Sequence, residues 1–162
     1  MYADADNEAL WRDTLAKNPG TWLAPTNLGF ALTQKGTDDA QREALNCYRL
    51  AYTLTPHNWI VLNRLAWLLA TSPVDDVRNG TLAEALAMEA CRWTEFREPH
   101  CLSALAAAHA ELGDFSAART WQERAIEAAP PDRRGVFIAE LQSYESHKPW
   151  RASSTIPSDR SR

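Results

Sequence analysis

Cys91, His100, Cys101 and His109 crowd thiols and imidazoles, the common zinc ligands, into one short stretch of this chain. Zinc sites take such ligands in closely spaced pairs, so that a few residues close a tetrahedron around the ion. Here the spacing matches no such pattern, and His100 and His109 stand too far apart to share one helical ligand pair. No metal or other cofactor is expected. Cys47, Cys91 and Cys101 are odd in number and fall inside helical patterns, which reads as packed, reduced thiols and is consistent with the cytoplasm. The acidic pairs Asp38-Asp39 and Asp75-Asp76 lie between helical segments and read as caps or solvated turns. No Ser–His–Asp order, glycine-rich phosphate loop or nucleotide motif is present, so catalysis is not expected.

The elements that carry these residues are helical. The 162 residues suffice for one domain with its own core, at 45% hydrophobic and 23% charged content. Only six glycines, abundant alanine and leucine, and almost no alternation of β-branched residues point to an all-α fold. The net charge is −4, and no basic stripe with interleaved aromatics marks a nucleic-acid partner. No run of about 18 apolar residues offers a membrane span, and MYADADNEAL lacks the regions of a signal peptide. A chain without membrane insertion, in the cytoplasm, is the favoured expectation.

Punctuation by Pro, Gly and capping residues divides the chain. Residues 4–19 read as one helix with Leu10, Trp11 and Leu15 on one side, stopped at Asn18-Pro19-Gly20. Residues 22–56 give two helices, broken at Gly36, with Asp38 or Asp39 as cap of the second. Residues 59–95 give another two, joined by the long loop TSPVDDVRNG, with Thr81 and Glu84 forming a capping box. Residues 99–130 give a third pair across Gly113-Asp114, and 131–146 a last helix opened by Pro131. The polar, Ser- and Arg-rich stretch 147–162 is expected to be disordered.

The three pairs repeat one pattern. TNLGFALTQKG (26–36), LNRLAWLLATSP (62–73) and LSALAAAHAELGDF (102–115) are each followed by an alanine-spaced helix. Within them, Pro25, Leu28-Gly29 and Leu32 correspond to Leu62, Leu65-Ala66 and Leu69, and to Leu102, Leu105-Ala106 and His109. A small residue after each leucine lets two helices cross closely. Ala44 and Ala51, Ala83 and Ala90, and Ala118 and Ala125 fall on one face of the second helices. This pattern resembles the tetratricopeptide repeat, a helix–turn–helix unit of about 34 residues. The resemblance covers about two thirds of the chain and implies a right-handed α-solenoid of about eight helices. The usual tryptophan is absent from all three copies, and the first two copies carry extra residues.

Trp11, Leu15 and Pro19 match the second helix of a further copy, Tyr48, Tyr52 and Pro56, whose first helix is missing. The segment 4–19 is either a cap or a cut end exposing apolar surface for homo-oligomerisation. The segments LAWLLATSPVDDVRNG and ELQSYESHKPWR also resemble the C-terminal ends of long bacterial tetratricopeptide-repeat proteins. In that group such repeats often follow a membrane-embedded or catalytic part, so the resemblance implies as an alternative the C-terminal repeat portion of a larger membrane-anchored or soluble enzyme.

By the same resemblance the first helices line a concave groove that binds a peptide or partner protein. Its inward side chains are expected to be Asn27, Phe30 and Gln34, then Asn63, Arg64 and Trp67, then His100 and Ser103, with Ala107 and Glu111 further along. Phe30 and Trp67 occupy equivalent positions and should be neighbours. Rings bury apolar side chains, amides pair with extended backbone, and Arg64 can fork a carboxylate. The alternative for Trp67 is packing against the following repeat. A carboxylate clamp would need inward lysines, and only Lys35 is near such a position.

Overall fold

The computed structural model describes residues 7–152. Among them the chain is helical throughout: α1 (Glu8–Lys17), α2 (Leu23–Lys35), α3 (Asp38–Leu54), α4 (Trp59–Thr71), α5 (Gly80–Trp93), α6 (Pro99–Glu111), α7 (Phe115–Ala128) and α8 (Arg134–Glu145), with no strand. Residues 4–6 of the expected first helix, and 153–162, lie outside the described residues.

Local chemistry sets the ends. Gly36 adopts a left-handed conformation (φ 70°) that closes α2 without the strain a side chain would bring there. Thr37, not Asp38 or Asp39, caps α3: its hydroxyl accepts from Ala40 N at 3.3 Å. The two aspartates instead occupy the first turn, where negative charge suits the helix dipole. The expected capping box at Thr81 and Glu84 is likewise displaced. Asn79 Oδ1 accepts from Leu82 N at 3.0 Å, so α5 starts two residues earlier than that box requires. Asn79 prevails because its backbone N–H is tied to Leu69 O at 2.9 Å, which fixes it at the helix entrance. Pro131 opens a short 3-10 turn (Pro131–Arg133) rather than α8 itself.

Helices adjacent in sequence pack on one another from α1 to α8, and α4 also lies against α2 and α6. One apolar core runs from Leu28 in α2 to Phe137 in α8. Leu32, Leu62, Leu69, Leu102 and Leu105 are almost completely buried, each stabilising the fold by roughly 1.5–3 kcal/mol relative to exposure. Ala44, Ala51, Ala83, Ala90, Ala118 and Ala125 are fully buried, as are Ala66 and Ala106. At position 29 an added β-carbon would stand 2.7 Å from Tyr48 Cε1, and that ring is itself buried.

The long loop between α4 and α5 is packed rather than free: Val74 and Val77 are buried, and Ser72 Oγ donates to Gln41 Oε1 at 3.2 Å. On α1, Trp11 and Leu15 pack against the core and Leu10 alone is well exposed, at 52%. The apolar face expected for self-association is thus partly covered by this packing, and no residue of α1 is fully buried. Arg12 further ties α1 to α3 through Glu43, at 2.6 Å.

Two glycine substitutions separate packing from backbone effects. Gly29→Ala is expected to cost about 1–3 kcal/mol in urea unfolding, because the buried Tyr48 ring must shift to admit the β-carbon. Gly135→Ala, where a β-carbon meets nothing within 4 Å, should gain about 0.5 kcal/mol.

Candidate functional site

The helices α2, α4, α6 and α8 share a face that carries two cavities. The first, about 100 Å³, is lined by Phe30, Gln34, Gln41, Arg64, Trp67 and Ala152 among others. The second, about 200 Å³, is lined by Asn63, Arg64, Trp67, His100, Ser103 and residues of α8. Arg64 and Trp67, three residues apart on α4, belong to both and form the wall between them. The Arg64 guanidinium carbon lies 4.3 Å from the centre of the Phe30 ring, a cation–π contact that turns the charge toward the first cavity.

Seven of the ten residues expected on this face thus come together around the two cavities. The other three line neither: Asn27 is half-buried, Ala107 is buried, and Glu111 is paired with Arg78 and Arg151. Ser103 lines its cavity but is buried, and its hydroxyl donates to Glu140 Oε2 at 2.6 Å. It therefore orients another group instead of waiting for a ligand. Lys35 is paired with Glu8 on α1 and reaches neither cavity. No inward lysine is thus available there for a carboxylate clamp.

Glu140 is the main residue that sequence reasoning missed. It is 3% exposed, yet its carboxyl lines the second cavity. Gln122 Nε2 donates to the same Oε2 at 2.7 Å and to Phe137 O at 2.9 Å. Burial raises the Glu140 pKa, opposed by the hydrogen bonds from Ser103 and Gln122 and by the proximity of His100. The signal was legible in α8, where Phe137, Glu140 and Tyr144 follow helical spacing: a carboxylate sits in an otherwise apolar buried stripe. His100 Nδ1 lies 2.8 Å from Glu98 Oε1, and the imidazole meets Phe137 edge to face at 5.3 Å. Asn63 Oδ1 is buried without a hydrogen-bond partner among the described residues.

The expectation that 147–162 is disordered fails for its first six residues, which strap across the same face. Trp150 packs against Ala106, Ala110, Ala118 and Tyr144. Arg151 pairs with Glu111 at 2.6 Å, and Arg78 holds the other oxygen of that carboxylate at 2.9 Å. The reason lies at the end of α4, whose last carbonyls have no partner within the helix. Leu68 O accepts from Ser72 N, Leu69 O from Asn79 N, Ala70 O from Arg151 Nη1 and Thr71 O from Ala152 N. Polar composition predicts solvent exposure, but here the polar groups complete a buried helix end.

The thiols are withdrawn from chemistry. Burial pushes Cys47 up to about 11 and Cys91 up to about 12, and raises Cys101 as well, so all three stay protonated near neutrality. Among the described residues no three His, Cys, Asp or Glu side chains gather as a metal-ligand set. None of the described helices is long and apolar enough to cross a membrane. Compared with known proteins, the chain matches no family model and no curated protein.

Two measurements follow. Glu140 is protonated in folded and unfolded chains below the ordinary Glu range, near about 4.3, and there Glu140→Gln should match wild type in stability. As pH rises through the raised pKa, ionisation in the buried site costs stability, so the variant should become the more stable of the two. Denaturant midpoints across that range read the gap directly. Arg151→Ala, which removes the contacts to Glu111 Oε2 and Ala70 O together, should cost about 1–3 kcal/mol and speed amide exchange of residues 148–152.

Proposed function

We propose that this chain is a non-catalytic interaction module: a tetratricopeptide-type right-handed α-solenoid that binds a peptide or partner protein along its concave face. The observation that carries this reading is the convergence of Phe30, Gln34, Asn63, Arg64, Trp67 and His100 on two adjoining cavities. Those residues come from the equivalent helix of three successive repeats, and the repeat framework does not require their identities. Framework positions, by contrast, are buried leucines and alanines with no group to offer a ligand.

The surface has the composition of a recognition site. Trp67 and Phe30 present apolar area at low entropic cost, and Arg64 is held over a ring while keeping donors free for a carboxylate or carbonyl. Two cavities rather than one suit an extended segment that places side chains in succession. Trp67 also touches the core, so packing and binding roles coexist in it. The strap of residues 147–152 borders the first cavity through Ala152 and sets the limit of the groove there.

Peptides selected by display against the full chain test this reading. Trp67→Ala and Arg64→Ala should each weaken such a peptide at least tenfold, about 1.4 kcal/mol. Trp93→Ala, at a 57% exposed position on α5, should leave affinity unchanged. Affinity losses that merely track losses of thermal stability across the three variants would assign Trp67 to packing.

A further inference from the structure

The second cavity differs from the first in one respect that a peptide would feel. Glu140 is nine-tenths buried, and both hydrogen bonds it accepts end on Oε2, from Ser103 and Gln122. Its second oxygen is left to the cavity that the residue lines. A buried carboxylate is costly unless an opposite charge or donors compensate it, and here two neutral donors reach only one of its oxygens. Around it stand Trp67 and Phe137, with Val136 at the exposed rim. Apolar walls leading to a fixed carboxylate match a long aliphatic stem that ends in a cation.

The nearest fixed positive charge on the wall does not fill this role. Arg64 is turned onto Phe30, 4.3 Å from the ring centre, on the side of the first cavity. His100 is engaged by Glu98 at 2.8 Å and rests on Phe137. Asn63, on the same wall, is neutral and adds no competing charge.

We propose that the cavity between α4, α6 and α8 takes a lysine side chain of the bound segment, its ammonium on Glu140 and its stem between Trp67 and Phe137. This rests on the peptide-binding reading and assigns one subsite within it. Ser103 and Gln122 are positioning residues: they hold Oε2 so that the free oxygen points to the ligand. The first cavity, with the Arg64 cation in its wall, suits an acidic neighbour, so the groove reads opposite charges on its two sides of α4.

The test titrates the full chain with N-acetyl-lysinamide, N-acetyl-norleucinamide and the amide of N-acetyl-glutamate, read by NMR at the Trp67 indole and Ser103 amide. The lysine compound should saturate these signals with at least tenfold higher affinity than norleucine, and the glutamate compound should leave them unmoved. Glu140→Gln should erase the lysine advantage. Val136→Lys, a rim substitution at a 53% exposed position, should place a tethered ammonium in the cavity and weaken the lysine compound at least tenfold without disturbing the fold. Equal affinity for lysine and norleucine, or a lysine affinity untouched by both variants, would overturn the subsite. If display-selected peptides still depended on Trp67 in that case, the groove itself would stand. If they did not, while lysine bound through Glu140, the site would be a small-amine pocket and the groove reading would fall instead.

Discussion

The crossing of α2 over α3 leaves no room for a β-carbon at Gly29, because the buried Tyr48 ring lies against the backbone there. Close approach at this point and at the fully buried Ala66 and Ala106 sets how near the first helices lie to their partners. Everything on the cavity-bearing face inherits its position from that spacing. A helix pair held apart by one extra methyl group would shift the wall made by Arg64 and Trp67 and change both cavities at once.

The second dependency is the end of α4. Its final carbonyls are satisfied by Ser72, Asn79, Arg151 and Ala152, groups drawn from the following loop and from more than 70 residues away. This fixes the wall between the cavities at its C-terminal end and recruits the strap to the same face. Arg151 and Arg78 then share Glu111, so the strap, the α4–α5 loop and α6 are joined at one carboxylate. With one oxygen facing each arginine, neither cation competes for the same atom, which suits a half-buried cluster.

Much of this was legible in the sequence, for a physical reason. Helix number, the alanine faces and the small residues at crossings follow from periodicity and steric demand, which are local. Phe30 and Trp67 were legible because they occupy equivalent positions of a repeated helix and both line the first cavity. What stayed hidden depends on contacts remote in sequence. Asn79 outcompeted Thr81 as a cap because Leu69 O fixes its backbone. Residues 147–152 read as a free polar tail, since composition does not reveal that α4 lacks partners for its carbonyls. Register alone also places Asn27 inward, yet on α2 the lining of the first cavity is Phe30, Thr33 and Gln34, without Asn27.

Function on this account resides in non-framework residues carried by the first helices, with α8 closing the second cavity and contributing its carboxylate. The most direct check is amide shift mapping of the full chain with a display-selected peptide. Perturbations should fall on residues 30–34, 63–71, 100–111 and 136–140 and on the strap beside them. Shifts concentrated on the outer faces of α3, α5 and α7, with α4 undisturbed, would contradict it.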